Sequence, residues 1–219
     1  MLPNNLIYEG NLWDSGTNLV AGTDEVGRGC IAGPLVAAAV VWPTEILDWI
    51  TDFEHPHYKL LIKIIDSKKV SLKNRELLTD FIKENCREYS IVEIDSKQID
   101  ADGVGKCNIK ALELAAQKIK HLDHVLVDHH KIFVNDTTAI KSTSITKGET
   151  HSISIAAASI LAKVHRDNLM KNTYHDKYPQ YGFDSHVGYG TKKHIEVIKK
   201  IGLSDIHRRS FCRNFVSQN

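Results

Sequence analysis

An apolar run of eight residues, Leu35 to Trp42, is closed on both sides by proline, at Pro34 and Pro43. The run is far shorter than the roughly 20 residues that a membrane-spanning helix needs. A short apolar run between such breaks predicts a buried strand. With 219 residues, 42% of them hydrophobic and 25% charged, the chain is long enough to build a packed core around that strand.

Apolar spacing predicts three further strands, at residues 18–24, 90–94 and 124–128. Helical spacing predicts four helices, at residues 73–89, 108–122, 154–171 and 192–201. Asn108 is predicted as the N-cap of the second of these helices. This order indicates an α/β fold, in which a mixed β-sheet is flanked by helices and followed by a helical C-terminal part. Because no linker divides the chain, we expect one domain over residues 1–219, with a core at about 18–170 and the helical part at about 171–219.

Charge and cysteine content exclude several classes of protein. The 28 basic residues nearly balance the 27 acidic ones, which argues against a globally basic coat protein for nucleic acid but leaves room for a local basic face. The four cysteines form no C-x-x-C pair, which argues against a disulfide scaffold or a structural zinc site. Residues 1–5 show no cationic start of a secretory signal, so we expect a cytoplasmic protein without a membrane partner.

Acidic residues stand where predicted strands end. Asp24 and Glu25 follow the first strand, Asp128 ends a later one, and Glu149 precedes a long helix. Carboxylates that converge there would repel one another unless cations lie between them, and oxygen ligands favour Mg²⁺ or Mn²⁺. Two such ions can activate a water and stabilise the leaving oxygen in phosphodiester hydrolysis. Acids at strand ends are also common as turn residues or caps, and spacing alone does not bring these four together.

Three other segments have the residue types of phosphate or sugar contacts. The glycines of Gly27-Arg28-Gly29 allow close backbone approach, and the arginine can meet a phosphate or a ribose hydroxyl. Asp66-Ser67-Lys68-Lys69 lies in a basic stretch that suits phosphate contact. Residues 192–213 carry seven basic and two acidic residues, and Tyr181 and Tyr189 precede them, a combination suited to holding a nucleic-acid backbone. The alternative interpretations are that Gly27-Arg28-Gly29 is an ordinary turn, that the lysine-rich segment is a solvated loop, and that the tyrosines are packing residues.

Taken together, these segments resemble the ribonuclease HII family. The shared motifs occur in order over about residues 18–213. They are GTDEVGRG from Gly22, AGPLVAAAV from Ala32, DSKK from Asp66, VLVD from Val125, KGE from Lys147, IAAASILAKV from Ile155, YPQYGF from Tyr178, GYGT from Gly188 and IHRRSF from Ile206.

The resemblance implies a ribonuclease H-like fold with a helical C-terminal extension. It implies cleavage of the RNA strand of RNA–DNA hybrids, and incision 5′ to a ribonucleotide embedded in duplex DNA, with 5′-phosphate and 3′-hydroxyl products. Asp24, Glu25, Asp128 and Glu149 would be catalytic and would hold divalent Mn²⁺ or Mg²⁺ ions. Gly27, Arg28 and Gly29 would read the 2′-hydroxyl at the RNA–DNA junction, and Tyr189 would pack on the neighbouring sugar. We expect a monomer.

The chain departs from the family pattern at three places. Glu149 stands where the family usually has aspartate, and a longer side chain moves the carboxylate by up to about 1.5 Å. Glutamate is shared with the sister class, ribonuclease HIII, but that class lacks the Gly-Arg-Gly reader and has an N-terminal domain for which 23 residues before Asp24 are too few. Val187 replaces a lysine, and His129-His130 follow Asp128 in place of Gly-Asn.

Two other classes compete with this interpretation. A non-catalytic nucleic-acid-binding module would have no reason to place four acids beside a phosphate backbone. Another metal-dependent nuclease with acids at strand ends, such as an integrase or a junction resolvase, would lack Gly27-Arg28-Gly29 and Tyr189. A carboxylate-metal phosphatase for small phosphates is a more distant candidate.

Overall fold

A computed structural model describes residues 4–130, 132 and 140–215 of the chain. Most of the segment 1–5, on which the prediction about secretion rests, lies outside the described residues. The strands are β1 (Val20–Val26), β2 (Leu35–Val41), β3 (Glu88–Ile94), β4 (His124–Asp128) and β5 (Lys141–Ile145). They form one mixed sheet in the order β3-β2-β1-β4-β5, antiparallel from β3 to β1 and parallel from β1 to β5.

Helices connect and cover these strands. Those before β4 are α1 (Ile7–Asp14), α2 (Ile46–Thr51), α3 (Tyr58–Leu61), α4 (Leu72–Asn85), α5 (Ser96–Asp102) and α6 (Val104–Gln117). Those after β5 are α7 (Ile153–Asn168), α8 (His175–Lys177), α9 (Phe183–His186), α10 (Lys192–Ile201) and α11 (Arg209–Cys212). Short 3₁₀ turns cover Asn4–Leu6, Gly148–Thr150 and Pro179–Tyr181, and a π-helix covers Leu169–Tyr174.

The apolar run between the two prolines forms β2, and all seven residues of this strand are buried. Val36, Ala38 and Val40 face a core that includes α4 and α7, whereas the alternate residues face a core that includes α6. Both faces of β2 are therefore covered, which confirms the predicted buried strand and the predicted mixed sheet flanked by helices.

Three helix boundaries were predicted wrongly, and one of them is the C-terminal end of the helix predicted for residues 108–122, which ends at Gln117. The helix predicted for residues 73–89 ends at Asn85, because Cys86 is extended and β3 begins at Glu88. Asn108 is not an N-cap: α6 begins four residues earlier, after Gly103, and Asn108 is buried within the helix. Gly103 has a φ of 83°, a backbone conformation that glycine adopts without strain and that allows α5 and α6 to meet at a sharp corner.

Strand β5 and helix α1 were not predicted, because their apolar signals are weak. Four of the five β5 residues are polar and only Ile145 is buried, as is common in a strand at the edge of a sheet. Helix α1 has its buried residues at Glu9 and Gly10, which do not form an apolar stripe.

The helical part after α7 has its own core, which includes Met170, Phe183 and Ile198. Two fully buried arginines connect this helical part to the segment between β1 and β2 by hydrogen bonds. Arg166 donates to the carbonyls of Ala32, Pro34 and Val187, and Arg208 donates to those of Arg28 and Gly33. No helix in the described part of the chain has the length and apolarity to span a membrane.

Candidate active site

A cavity of about 470 Å³ opens at the carboxyl ends of the central parallel strands β1 and β4. All four predicted carboxylates line it: Asp24, Glu25, Asp128 and Glu149. Six of the seven predicted substrate-binding residues also line it: Gly27, Arg28, Gly29, Ser67, Lys68 and Tyr189. Lys69 is not among the lining residues. The structure therefore brings together residues that lie up to 165 positions apart in the sequence.

Strand pairing places Asp24 beside Asp128. Thr23 pairs with Val127 in the parallel register of β1 and β4, and the two aspartates are the next residues on their strands. Burial raises the pKa of Asp24 well above its ordinary value, and the carboxylates of Glu25 and Asp128 raise it further. A hydrogen bond with Ser159 opposes this shift. Charging Asp24 is therefore costly at this buried place beside two other carboxylates.

The turn that carries Glu149 also holds Asp128. The Gly148 N–H donates a 2.7 Å hydrogen bond to Oδ1 of Asp128. Lys147 enters this turn with a φ of 56°, the left-handed conformation. A Cβ on Gly148 would lie 2.6 Å from Cδ1 of Ile155, the movable end of a side chain, and 3.4 Å from Cα of Asp128, so the turn lies close to Asp128 and α7.

Glu25 is held on the opposite side by two basic groups. Its Oε1 lies 3.5 Å from Nη1 of Arg28 and 4.0 Å from Nε2 of His130. The Arg28 side chain is half exposed, at 50% of its full accessibility, so its guanidinium faces both Glu25 and solvent. His129 is exposed with a φ of 57°, and it is the neighbouring His130 that contacts the site.

The two glycines around Arg28 have different roles. Gly27 has a φ of 91°, and a Cβ there would lie 2.4 Å from Nε of Arg166. Nothing lies within 4 Å of the Cβ position at Gly29, so its backbone borders open space in the cavity. The carbonyl of Arg28 is fixed by Nη1 of Arg208 at 2.9 Å. The backbone of the Gly27-Arg28-Gly29 loop is therefore fixed by its neighbours, and its side at Gly29 is open to the cavity.

The segment from Asp66 to Lys69 is a turn organised by Asp66. The Asp66 Oδ1 accepts the Lys68 N–H at 2.9 Å, and the Asp66 carbonyl accepts the Lys69 N–H at 2.9 Å. Ser67 is buried, with its Oγ 2.8 Å from Oγ of Ser159 on α7. The turn directs Ser67 and Lys68 to the cavity and leaves Lys69 exposed outside it.

Tyr189 is 41% exposed and stands at the rim of the cavity. Lys163 Nζ lies 5.9 Å from the centroid of its ring, and the tyrosine hydroxyl shares a hydrogen bond with the buried Cys30 thiol. Burial raises the pKa of the Tyr189 hydroxyl. Val187, which replaces the family lysine, packs in the core of the helical part and does not line the cavity.

A chain of buried histidines holds the Tyr189 backbone. His194 Nδ1 donates to the Tyr189 carbonyl at 2.8 Å, and the Nε2 atoms of His194 and His207 are 3.0 Å apart. His207 Nδ1 accepts the Ser204 N–H at 2.9 Å. These partners are all satisfied when both imidazoles are neutral, with the His207 Nε2–H donating to His194. Burial lowers the pKa of both histidines to about 4.

Sequence reasoning assigned no individual role to four residues that line the cavity: Val26, Asp66, Ser159 and Lys163. Lys163 donates to Asp167 Oδ1 at 2.8 Å, which orients its ammonium. The spacing of Ser159 and Lys163 could have identified them from the sequence. They are polar residues four positions apart, so they share one face of a helix that is otherwise almost entirely buried. The C-terminal basic surface is also smaller than predicted, since Arg208 is fully buried and donates only to backbone carbonyls.

The residues present fit a hard divalent cation by their chemistry. The four acids supply only oxygen donors, and burial together with the carboxylates of Glu25 and Asp128 raises the pKa of Asp24, a cost that a bound cation would offset. Among the described residues, no three or more His, Cys, Asp or Glu side chains lie close enough together to hold a metal ion as they stand. The four carboxylates share the lining of one cavity, so an ion bound there would be open to a substrate phosphate.

Comparisons with known proteins agree on one family. The model of the family described as Ribonuclease HII matches residues 21–214. The ribonuclease HII of Clostridium perfringens strain SM101 is 43% identical over 197 residues, which are 90% of this chain and 68% of that protein. The ribonuclease HII of Caldanaerobacter subterraneus subsp. tengcongensis is 43% identical over 210 residues, 95% of this chain and 80% of that protein.

Solved structures have the same fold. Ribonuclease H2 from Pyrococcus horikoshii superposes with a TM-score of 0.72 at 23% identity, covering 90% of this chain and 96% of its own. A ribonuclease HIII (Bst-RNase HIII) solved with Mn²⁺ superposes with a TM-score of 0.56 at 18% identity. The match covers 85% of this chain and 63% of that chain. Both likenesses confirm the predicted ribonuclease H-like fold. The chain belongs to the ribonuclease HII family, metal-dependent endonucleases that hydrolyse RNA in RNA–DNA hybrids.

Proposed function

We propose that this protein, besides cutting RNA–DNA hybrids, incises duplex DNA on the 5′ side of a single embedded ribonucleotide. The products carry 5′-phosphate and 3′-hydroxyl ends. The observation that carries the proposal is the shared cavity, in which Gly27-Arg28-Gly29 and Tyr189 stand beside the four carboxylates. A general hybrid-cutting nuclease has no need of a fixed loop and an aromatic ring that distinguish one sugar from its neighbour.

Asp24 and Asp128 are proposed to hold two divalent ions, Mg²⁺ or Mn²⁺, and Glu25 and Glu149 to complete their ligand shells. When bound, such ions supply an activated water and stabilise the departing 3′ oxygen. The chain's own contribution is to fix the carboxylates. The Gly148 N–H orients Asp128, and Arg28 and His130 orient Glu25. These partners leave each carboxylate with oxygen atoms free to accept a ligand, because a carboxylate has about four lone-pair sites.

The Gly27-Arg28-Gly29 loop is proposed to recognise the 2′-hydroxyl. Arg208 donates to the Arg28 carbonyl and Arg166 packs against Gly27, which keeps the backbone in place before substrate arrives, and the open side at Gly29 admits a ribose. The half-exposed Arg28 guanidinium can donate to the hydroxyl or to a neighbouring phosphate. Recognition of the 2′-hydroxyl, without its use as a nucleophile, explains selectivity for a ribonucleotide by an enzyme that uses metal ions for hydrolysis.

Tyr189 is proposed to pack on the deoxyribose that follows the ribonucleotide. Its ring is exposed at the rim, while its backbone is held by His186 and His194. A ring in this place is proposed to exclude a 2′-hydroxyl from the sugar it covers. Lys68 and Lys163 supply positive charge at the same cavity for the backbone phosphates.

Residues 1–219 are proposed to act as one catalytic domain and as a monomer. The site supports this proposal, because the carboxylates of the core at about 18–170 and Tyr189 of the helical part at about 171–219 line a single cavity within one chain. The helical part is proposed to bind substrate. The cellular roles that fit these activities are removal of ribonucleotides from DNA and removal of RNA primers.

The test is cleavage of an end-labelled DNA duplex with one embedded ribonucleotide, beside an all-DNA duplex and an RNA–DNA hybrid. Each substrate is assayed with Mg²⁺, with Mn²⁺ and with EDTA. We expect a metal-dependent nick 5′ to the ribonucleotide and none in the all-DNA duplex. Cleavage of the hybrid without the nick would show that Gly27-Arg28-Gly29 and Tyr189 do not read a junction here and would favour behaviour like that of ribonuclease HIII.

A further inference from the structure

A buried acid in the N-terminal helix α1 has no part in the site described above. Glu9 is fully buried, and it does not line the cavity that holds the four carboxylates. Helix α1 also precedes the region that matches the family, which begins at residue 21. Burying a carboxyl group costs free energy unless hydrogen bonds replace its lost hydration. The contacts of Glu9 therefore indicate its role.

Glu9 contacts the start of α7. Its Oε1 accepts a hydrogen bond from Oγ of Ser152 at 2.5 Å and one from the Ser154 N–H at 3.0 Å. Ser152 is the N-cap of α7, and its Oγ accepts the Ile155 N–H at 3.1 Å. Glu9 therefore satisfies one of the helix's unpaired N–H groups and fixes the capping hydroxyl, at the end of α7 where the helix dipole favours negative charge.

The contact is not explained by packing alone. Burial raises the pKa of Glu9, and its second oxygen, Oε2, has no hydrogen-bond partner among the described residues. The Ser152 hydroxyl already caps the helix, so α7 would have an N-cap without Glu9. An apolar residue in this place would leave the Ser154 N–H without the acceptor that Glu9 provides. Glu9 thus directs both of its hydrogen bonds to the start of α7.

The cap of α7 is connected to the turn that carries Glu149. The Ser152 N–H donates to the Gly148 carbonyl at 2.8 Å, and the Gly148 N–H donates to Asp128 Oδ1 at 2.7 Å. Glu149 lies between these two anchored residues. The 3₁₀ turn at Asn4–Leu6, which leads into α1, packs directly on the turn at Gly148–Thr150. The N-terminal segment therefore contacts the Glu149 turn directly through Asn4–Leu6 and indirectly through Glu9 and Ser152.

We propose that Glu9 is a positioning residue that sets the places of Asp128 and Glu149 through Ser152 and Gly148. This inference rests on the proposed role of those two carboxylates as ligands of divalent ions. It makes helix α1, which lies outside residues 21–214 that the family model matches, part of the structure that shapes the site. Glu9 does not touch substrate or metal, so its loss acts on the geometry of the ligands.

The test compares Glu9→Ala, Glu9→Gln and the control Glu84→Ala, which removes an exposed acid of α4. Mn²⁺ binding is titrated by the electron paramagnetic resonance signal of free Mn²⁺. Hydrogen exchange is followed over residues 147–155, and kcat and KM are measured on the single-ribonucleotide duplex. The Gln side chain keeps an oxygen that accepts both hydrogen bonds, so this variant separates geometry from charge.

We expect Glu9→Ala to weaken Mn²⁺ binding by about tenfold, the lower end of the effects seen when a group that orients metal ligands is removed. Exchange at residues 147–155 rises, and kcat falls while KM for the duplex is unchanged. Glu9→Gln recovers most of the affinity, and Glu84→Ala matches the unmodified protein. If Glu9→Ala does not fold, Glu9→Asp, which withdraws the carboxylate by about 1.5 Å, shows a smaller loss in the same measurements.

Wild-type affinity for Mn²⁺, wild-type kcat and unchanged exchange in a folded Glu9→Ala or Glu9→Asp variant would overturn the inference. A lower melting temperature alone, with Mn²⁺ affinity intact below that temperature, would show a purely structural role and would also overturn it. Failure of the unmodified protein to bind Mn²⁺ would instead reject the proposed ligand roles of Asp128 and Glu149. The two failures are therefore distinguishable.

Discussion

The backbone N–H of Gly148 donates to the carboxylate of Asp128 at 2.7 Å, although 20 residues separate them. This hydrogen bond joins the end of β4 to the turn that presents Glu149. It uses the backbone of one predicted acidic segment to orient the side chain of the other. The two carboxylates are thus positioned as a pair, and a change in one segment is transmitted to the other.

Asp128→Asn should nearly abolish turnover while leaving duplex binding measurable. The amide keeps the shape of the side chain but removes the charge that a divalent ion requires. Because bound metal contributes several kcal/mol to the transition state, we expect kcat to fall by roughly a thousandfold. Cleavage rates and fluorescence anisotropy of a labelled duplex measure the two effects. Near-normal kcat in this variant would remove Asp128 from the catalytic set.

Arg28→Ala should reduce the preference for a ribonucleotide-containing strand over all-DNA by about tenfold, the worth of one hydrogen bond from a charged group. The change also frees Glu25 from its partner at 3.5 Å, so a modest loss of rate on every cleavable substrate is expected. Cleavage of the single-ribonucleotide duplex relative to that of the all-DNA duplex, both at high enzyme concentration, measures this preference, and kcat/KM on the hybrid measures the general loss of rate. Arg87→Ala, an exposed arginine at the start of β3, is the control. An unchanged preference would argue against the reader role.

Stability should fall as the pH is lowered from about 6.5 towards 4. Burial lowers the pKa of His194 and His207 from 6.5 to about 4 in the folded protein, so in this range the unfolded chain binds more protons. Unfolding free energy therefore rises with pH, by on the order of 2 kcal/mol for one such histidine between pH 5 and pH 7. Urea unfolding at both pH values measures the slope. His207→Gln should flatten it, and an unchanged slope would contradict the assignment.

Gly22→Ala should destabilise the protein by about 3 kcal/mol or prevent folding. A Cβ at this position would lie 2.2 Å from the Ile155 nitrogen and 2.3 Å from the Ser154 carbonyl carbon, and neither is a flexible side-chain end. Gly105→Ala is the matched control, because nothing lies within 4 Å of its Cβ position at the start of α6. We expect that variant to be as stable as the unmodified protein or up to about 1 kcal/mol more stable. Equal stabilities of the two variants would show that β1 and α7 are not in such close contact.

Predictions from the sequence succeeded where the signal was local. The proline-bracketed run predicted β2, and the strand predicted for residues 124–128 matches β4. Prediction failed where the end of an element depends on its neighbours. Asn108 has the chemistry of an N-cap, but the left-handed Gly103 allows α6 to begin earlier and to bury Asn108. Strand β5 was not predicted because its own residues are mostly polar and its extended conformation depends on pairing with β4.

The sequence by itself determined the strands that form the centre of the sheet, the acids at their ends and the ordered motifs of the ribonuclease HII family, because these depend on residue type and spacing. Only the tertiary structure decided which side chains reach the cavity. It turned Lys69 outward, buried Arg208 against Gly33, 175 positions away, and brought Ser159 and Lys163 into the site. It also placed Glu9 against Ser152. The burial and partners of a side chain are set by segments distant in the sequence, which local spacing does not encode.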